Sequence, residues 1–213
     1  MAGATGNGGA FTTYMFRGVD QSLGAAVQGG LDYSMESGVY AGTWVSTTSG
    51  VQAGSAYETD VYGGWTGGGF DIGYIFYGYR DLPLANFSEV YAGWSGHGLS
   101  AKVYFSPEFS ATEDSAIYAT ASYAISLSDS LTLTPQVGMS TGDGIETALG
   151  GIEDSYVDYS LTLGKTMKDG FLFTFAYVAN TLDPEDFDDG DPATFDPSEH
   201  GQLVVGLKKN FDL

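Results

Sequence analysis

Roughly ten residues at a time, this chain alternates apolar side chains with small or polar ones. It does so about twelve times, with connections that are alternately very short and longer. A strand that alternates in this way presents one oily face and one face that accepts water. Repeated in tandem with this rhythm of turns, the pattern is that of an all-β fold, a transmembrane antiparallel β-barrel of about 12 strands in an up-and-down meander. The clearest apolar runs are Ala25, Val27, Leu31, Tyr33; Leu99, Ala101, Val103, Phe105; Val157, Tyr159, Leu161, Leu163; and Leu203, Val205, Leu207. Interleaved with them are Gln28, Asp32, Ser100, Lys102, Asp158, Ser160 and Thr162, all compatible with water.

The pattern predicts strands over 9–17, 24–34, 38–47, 55–66, 69–80, 86–95, 98–106, 115–126, 130–140, 154–165, 170–180 and 201–212. Residues 1–8 are expected to be a flexible N-terminus ahead of a single barrel domain spanning 1–213. Five connections carry Gly, Ser, Asp or Lys in tight-turn patterns: Ser34–Gly38, Thr66–Gly69, Ser95–Gly98, Ser128–Asp129 and Lys168–Gly170. Gly, Asn and Asp tolerate the positive φ that two-residue hairpins require. The other connections, near 18–23, 48–54, 81–85, 107–114, 141–153 and 181–200, are longer and more acidic. Bacterial barrels have short periplasmic turns and long extracellular loops. The alternation therefore predicts both termini in the periplasm and 181–200 as a long acidic extracellular loop.

Charge agrees with this reading. Asp and Glu number 27 against 7 Lys and Arg, for a net charge of −20, yet charged residues are only 16% of the chain. Lipid-facing positions exclude charge, which leaves the acids for loops and lumen. Nucleic acid is excluded as a partner, because phosphate binding needs clustered Lys and Arg. With no cysteine, disulfides and thiolate chemistry are excluded as well. No apolar run reaches the ~18 residues of a spanning helix, so any membrane crossing is made by strands. The chain opens Met1-Ala2-Gly3-Ala4 without a charged n-region or apolar h-region, so a secretion signal is expected to have been removed. A soluble β-sandwich or lipocalin-like barrel also alternates, but its wet face should carry Lys and Glu. Here that face is mostly Gly, Ser, Thr, Tyr and Ala.

Parity sorts the side chains. The pore-lining set is Asp32, Glu58, Asp60, Tyr62, Asp71, Tyr77, Tyr79, Tyr91, Lys102, Tyr104, Asp158 and Lys208, with Arg17, Arg80 and Glu89 near the extracellular mouth. Aromatics favour membrane interfaces. Trp65, Phe70, Trp94, Phe171 and Phe211 fall on the lipid face near the short turns, and Phe16, Phe76 and Phe105 near the long loops. Lys165 and Lys209 share the lipid-face parity near the rim, where long side chains snorkel to headgroups.

Several ordered motifs point to a family. They are Tyr14-Met15-Phe16-Arg17-Gly18-Val19-Asp20-Gln21-Ser22, Ala26-Val27-Gln28-Gly29-Gly30-Leu31-Asp32-Tyr33 and Gly38-Val39-Tyr40-Ala41-Gly42-Thr43-Trp44. Further along come Glu58-Thr59-Asp60-Val61-Tyr62-Gly63-Gly64, Glu89-Val90-Tyr91-Ala92-Gly93 and Val103-Tyr104-Phe105-Ser106-Pro107-Glu108. Over residues 10–126 the chain resembles the TorF-type porin family of proteobacteria. The resemblance implies an outer-membrane barrel of porin type and no particular solute. The chain departs from the family in its acidic connection at 181–200 and in ending Phe211-Asp212-Leu213.

A barrel of about eight strands is filled by side chains, whereas 16 to 18 strands leave an aqueous channel. Twelve strands predict a narrow passage. Its partners would be outer-membrane lipid, lipopolysaccharide and small solutes or ions, with no cofactor. Glu58, Asp60, Glu89 and Asp158 form the charged wall, partly compensated by Arg17 and Lys102, which predicts weak cation preference. The opposing reading is that these charges pair inside a nearly closed, non-conducting barrel that displays loops for binding or adhesion. Enzymes need convergent groups. The only histidines, His97 in a periplasmic turn and His200 at the other end, cannot share a site, and Ser198 beside His200 lies in an exposed loop. The run Asp183, Glu185, Asp186, Asp188, Asp189, Gly190, Asp191 has the oxygen density of a calcium site, but it lacks EF-hand spacing and reads as a solvated loop. Gly67-Gly68-Gly69 lies in a hairpin and precedes no helix, so it is not a phosphate cradle.

Overall fold

A computed structural model describes residues 2–48, 56–186 and 201–213. Its strands are β1 (Gly3–Phe11), β2 (Met15–Phe16), β3 (Val19–Asp20), β4 (Ala26–Ser34), β5 (Val39–Thr47), β6 (Tyr57–Gly67), β7 (Phe70–Tyr79) and β8 (Phe87–Gly96). They continue with β9 (Leu99–Ser106), β10 (Ala116–Tyr123), β11 (Ile125–Ser128), β12 (Leu131–Thr141), β13 (Ser155–Thr166), β14 (Phe171–Asn180) and β15 (Gln202–Asp212). Each barrel strand pairs antiparallel with its neighbours, in the order β10-β9-β8-β7-β6-β5-β4-β1-β15-β14-β13-β12-β11, and a further β10–β12 pairing closes the ring. Both β10 and β11 pair with β12, so they are two halves of one stave interrupted at Ala124. With β2 and β3 outside the ring, the barrel has twelve staves.

Five short turns join staves at one end, as expected. Two of them, Gly68-Gly69 (φ +61° and +85°) and His97-Gly98 (φ +53° and +85°), place both central residues in the left-handed region, whose twist matches that of the flanking strands. Both termini of the barrel lie at this short-turn end, because β1 begins there and β15 ends there.

The distribution of polarity is inverted relative to a water-soluble domain. The largest fully buried side chains are Glu58 and Glu89, followed by Ser46, Ser106 and Ser140. Meanwhile Val27 is 64% exposed and Phe70 58%, in company with Leu31, Val61, Ile72, Val90, Val103, Leu161, Phe175 and Leu203 around the ring. Each such side chain gains about 1.5–3 kcal/mol on leaving water. The outer face is thus built to meet hydrocarbon.

Three expectations are corrected. The first stave is Gly3–Phe11 rather than 9–17, and residues 3–8, expected to be flexible, belong to it. Its outward positions are Ala4, Gly6, Gly8 and Ala10, too small to register as an apolar face, and a Cβ at Gly6 would come within 2.4 Å of the Phe211 ring. Residues 13–22, expected to complete that strand and loop outward over 18–23, instead turn into the barrel, where Thr13, Arg17, Val19 and Asp20 are buried. Finally, the connection at 141–153 contains a short helix, α1 (Asp143–Ala148), where only loop was predicted. Six residues are too few for a helical period to show. The helix carries Ile145, and Leu149 just beyond its end, into a buried cluster with Val19, Ala116, Tyr156 and Leu182.

Candidate functional site

The lumen is crossed by the β2–β3 hairpin. Met15 pairs with Asp20 and Phe16 with Val19, and the turn between them is Arg17-Gly18, with φ +50° and +80°. The hairpin's base is tied by side chains that favour local hydrogen bonding. Asp20 Oδ1 accepts from Thr13 Oγ1 (2.5 Å) and from the backbone N–H groups of Ser22 and Leu23 (2.9 Å each). Ser22 Oγ accepts from the Tyr14 N–H at 2.8 Å.

The tip touches two distant walls. Arg17 Nη2 donates to Glu89 Oε1 and Oε2 on β8, at 2.8 and 2.6 Å, and Tyr77 Oη donates to the same carboxylate at 3.1 Å. The guanidinium lies 4.2 Å from the Tyr118 ring centroid, 4.7 Å from that of Phe16 and 5.4 Å from that of Tyr104. On the other side, Asn180 Nδ2 on β14 donates to the Gly18 carbonyl at 2.8 Å. A Cβ at Gly18 would sit 2.8 Å from the Asp158 Cβ on β13. Between β8 and β14 the ring runs β8-β9-β10/β11-β12-β13-β14, five steps out of twelve, so the hairpin spans the lumen almost across its diameter.

Beside the hairpin on β6, Glu58 and Asp60 point inward on one strand face and are buried. Glu58 Oε1 accepts from Tyr14 Oη at 3.1 Å, and Tyr14 packs edge-on against Trp44. No hydrogen-bond partner among the described residues reaches Glu58 Oε2, Asp60 Oδ1 or Asp158 Oδ2, so the wall around the hairpin is rich in buried carboxyl groups that the protein satisfies only in part.

Nearer the short turns a second charged layer is more balanced. Lys102 Nζ donates to Asp71 Oδ2 at 2.6 Å and lies over the Tyr91 ring, and Tyr40 Oη donates to Asp71 Oδ1 at 2.6 Å. Tyr62 Oη donates to Asp32 Oδ1 at 2.5 Å. Two cavities open here, one of about 250 Å³ beside Asp71 and Lys102, the other of about 440 Å³ between Asp32 and Lys208.

The strand residues expected on the lumenal face (Asp32, Glu58, Asp60, Tyr62, Asp71, Tyr77, Tyr79, Glu89, Tyr91, Lys102, Tyr104, Asp158 and Lys208) have inward parity in the paired strands. Arg17 reaches the lumen from the hairpin instead of from a stave, and Arg80 is exposed at the long-loop rim, donating to Tyr57 Oη. Phe16 is a correction. Assigned to the membrane interface, it lies inside the barrel with its ring 5.7 Å from that of Tyr77, because the segment carrying it is the inserted hairpin. Trp65, Phe70, Phe76, Trp94, Phe105 and Phe211 are on the outer face, and Phe171 is half-buried there under Lys209. Sequence reasoning missed Tyr14, Tyr40, Trp44, Tyr118 and Asn180. Parity alone would have found Tyr40, Trp44, Tyr118 and Asn180, the last paired with the inward Asp158. Nothing in the local sequence marks Tyr14, which reaches Glu58 only because its segment is inserted.

His97 occupies a tight turn, while Ser198 and His200 lie outside the described residues. Of the acidic run, Asp183, Glu185 and Asp186 are exposed, and Asp188, Asp189, Gly190 and Asp191 lie outside the described residues. Among the described residues no group of three or more His, Asp or Glu is placed to hold a metal ion.

The bacterial family of unknown function designated Gcw_chp matches the chain over residues 3–211. No curated protein sequence matches. Among solved structures, the NanC porin superposes with a TM-score of 0.59 at 10% identity, covering 97% of this chain and 98% of that one. A KdgM porin gives a TM-score of 0.56 at 11% identity over 98% and 99% of the two chains, and a second structure of it is described as a complex with disordered oligogalacturonate. An outer membrane channel from Pseudomonas putida F1 gives 0.50 at 9% identity, over 100% of this chain and 96% of that one. At such identities the likeness is one of fold, and the fold is that of outer-membrane porins and channels.

Proposed function

The chain belongs to the Gcw_chp family of bacterial proteins of unknown function, and we propose that in this member the barrel is a narrow outer-membrane channel for passive diffusion of small solutes, with weak cation preference. The observation that carries this reading is the spanning hairpin set in an acidic wall. The hairpin narrows the passage, while among the described residues Asp32, Glu58, Asp60, Asp71, Glu89 and Asp158 share the lumen with the cations Arg17, Lys102 and Lys208. A low-dielectric wall of one dominant sign raises the local concentration of the opposite ion. The same excess of acid disfavours uronate chains such as the oligogalacturonate bound by the KdgM porin, so small cations and neutral solutes are the proposed cargo. The TorF-type resemblance over 10–126 and the porin fold support the same reading. They also favour the orientation with short turns in the periplasm, long loops outside, and lipid and lipopolysaccharide against the apolar belt. No catalytic residue is proposed.

Reversal potentials across planar bilayers in a KCl gradient test it. Small unitary currents reversing on the cation-selective side are expected, and an anion-selective channel would overturn the preference. A second reading, a non-conducting barrel that displays its loops, is favoured by the contact of the hairpin tip with both β8 and β14. Complete silence in bilayers and in liposome swelling with small sugars would establish that reading over the channel.

A further inference from the structure

Above the hairpin, at the long-loop end, an apolar cavity of about 310 Å³ opens between four segments of chain. Its floor is the hairpin itself, through Val19, and its walls include Phe87, Phe109, Ile145, Leu149 and Tyr156. Phe87 stacks on Tyr77 with ring centroids 4.4 Å apart and meets Phe109 edge-on at 5.0 Å, so the aromatic walls are held in place by their neighbours. Protein interiors leave few voids larger than a water molecule. A preformed apolar hollow of this size with a few polar groups at its edge is typical of sites for small organic ligands.

The charge around it selects among such ligands. Thr147, which lines the cavity, donates from Oγ1 to Asp114 Oδ2 at 2.9 Å, placing that carboxylate at the rim. The helix that supplies one wall carries Asp143 and Glu146 in its first turn. Residues 103–164, which provide Phe109, Ile145, Leu149 and Tyr156, contain no Lys or Arg at all. Below the floor, the charge of Arg17 is matched by Glu89. No Lys or Arg lines the cavity, and Arg80 at the same end of the barrel is engaged with Tyr57 Oη, so an anion would gain little at this rim. An ammonium group gains there from the carboxylates, and from aromatic faces if it sits over one.

We propose that this cup binds small organic cations with an aromatic or compact apolar body, of the size of a benzylammonium ion. The inference concerns binding and does not depend on conduction, so a silent barrel leaves it standing.

The test uses the full chain in lipid nanodiscs, with empty nanodiscs subtracting partition into lipid. Binding of benzylammonium, benzyl alcohol and benzoate is followed by saturation-transfer NMR and calorimetry at low salt. Benzylammonium is expected to bind about fivefold tighter than benzyl alcohol, with benzoate not binding. Ala148 is exposed on the cavity wall, so Ala148→Trp should fill the hollow without disturbing the barrel and abolish binding of both ligands. Asp114→Asn should remove most of the advantage of the ammonium while leaving benzyl alcohol bound. Absence of binding by any of the three, benzoate binding as well as benzylammonium, or wild-type binding by Ala148→Trp would each overturn the proposal.

Discussion

Arg17 and Glu89, 72 residues apart in the chain, meet inside the barrel through two hydrogen bonds of 2.8 and 2.6 Å made by a single guanidinium nitrogen. Both side chains are almost wholly withdrawn from solvent. A buried pair of this kind is costly to halve, because the surviving charge has no partner, whereas replacing both members together costs much less. Glu89→Gln is therefore expected to lower unfolding stability by about 3–5 kcal/mol and to enlarge unitary conductance by loosening the hairpin. The double variant Arg17→Met with Glu89→Leu should lose markedly less stability than either single change. Thermal unfolding in detergent, together with single-channel recording, checks both statements.

Gly18 is the other anchor. With φ +80° and a would-be Cβ 2.8 Å from the Asp158 Cβ, it admits no larger side chain without strain. Gly18→Val is expected to cost at least 1–2 kcal/mol, roughly the penalty of a β-carbon in the left-handed region. It should also undock the tip from Asn180. Limited proteolysis would show new cleavage within residues 12–25 while the barrel strands stay protected; an uncut hairpin would contradict this.

Parity on the central part of β13 gives a paired test of the membrane reading. Leu161 faces outward and its neighbour Ser160 inward. Leu161→Arg should reduce folding stability in lipid vesicles by about 2–4 kcal/mol, as for a cation near the bilayer midplane. Ser160→Arg, one residue away, should cost much less while shifting ion selectivity towards anions. Equilibrium folding titrations into vesicles, with equal losses for the two variants, would contradict the assignment of faces.

Charge selectivity should follow the lumenal ledger of acids and bases. Replacing Glu58 and Asp60 by Gln and Asn is expected to move the reversal potential in a KCl gradient towards zero. Lys102→Ala leaves Asp71 without its cation and should move it the other way. The second effect should fade as ionic strength rises, because this pair is partly exposed and screened by salt.

Much of this architecture was legible before any coordinates. Alternation with a period of two is local, so the outward Val27, Leu31, Val103 and Leu161 and the inward Asp32, Glu58, Lys102 and Asp158 could be assigned from neighbours within a single strand. The five short turns were legible for the same reason, since positive φ at Gly68, Gly69 and Gly98 is a property of two or three consecutive residues. The first stave escaped notice because Gly6 and Gly8 carry its outward face without any apolar bulk, and it acquires a place only by pairing with β4 and β15. The inserted hairpin could not be read locally either. Tyr14 and Phe16 alternate as a strand would, and whether that segment continues a stave or turns inward depends on Glu89 and Asn180, 72 and 162 residues away from its tip. Side-chain spacing along the chain settles which face of a strand is oily; where a connecting segment comes to rest is settled by distant partners that closure of the ring brings within bonding reach.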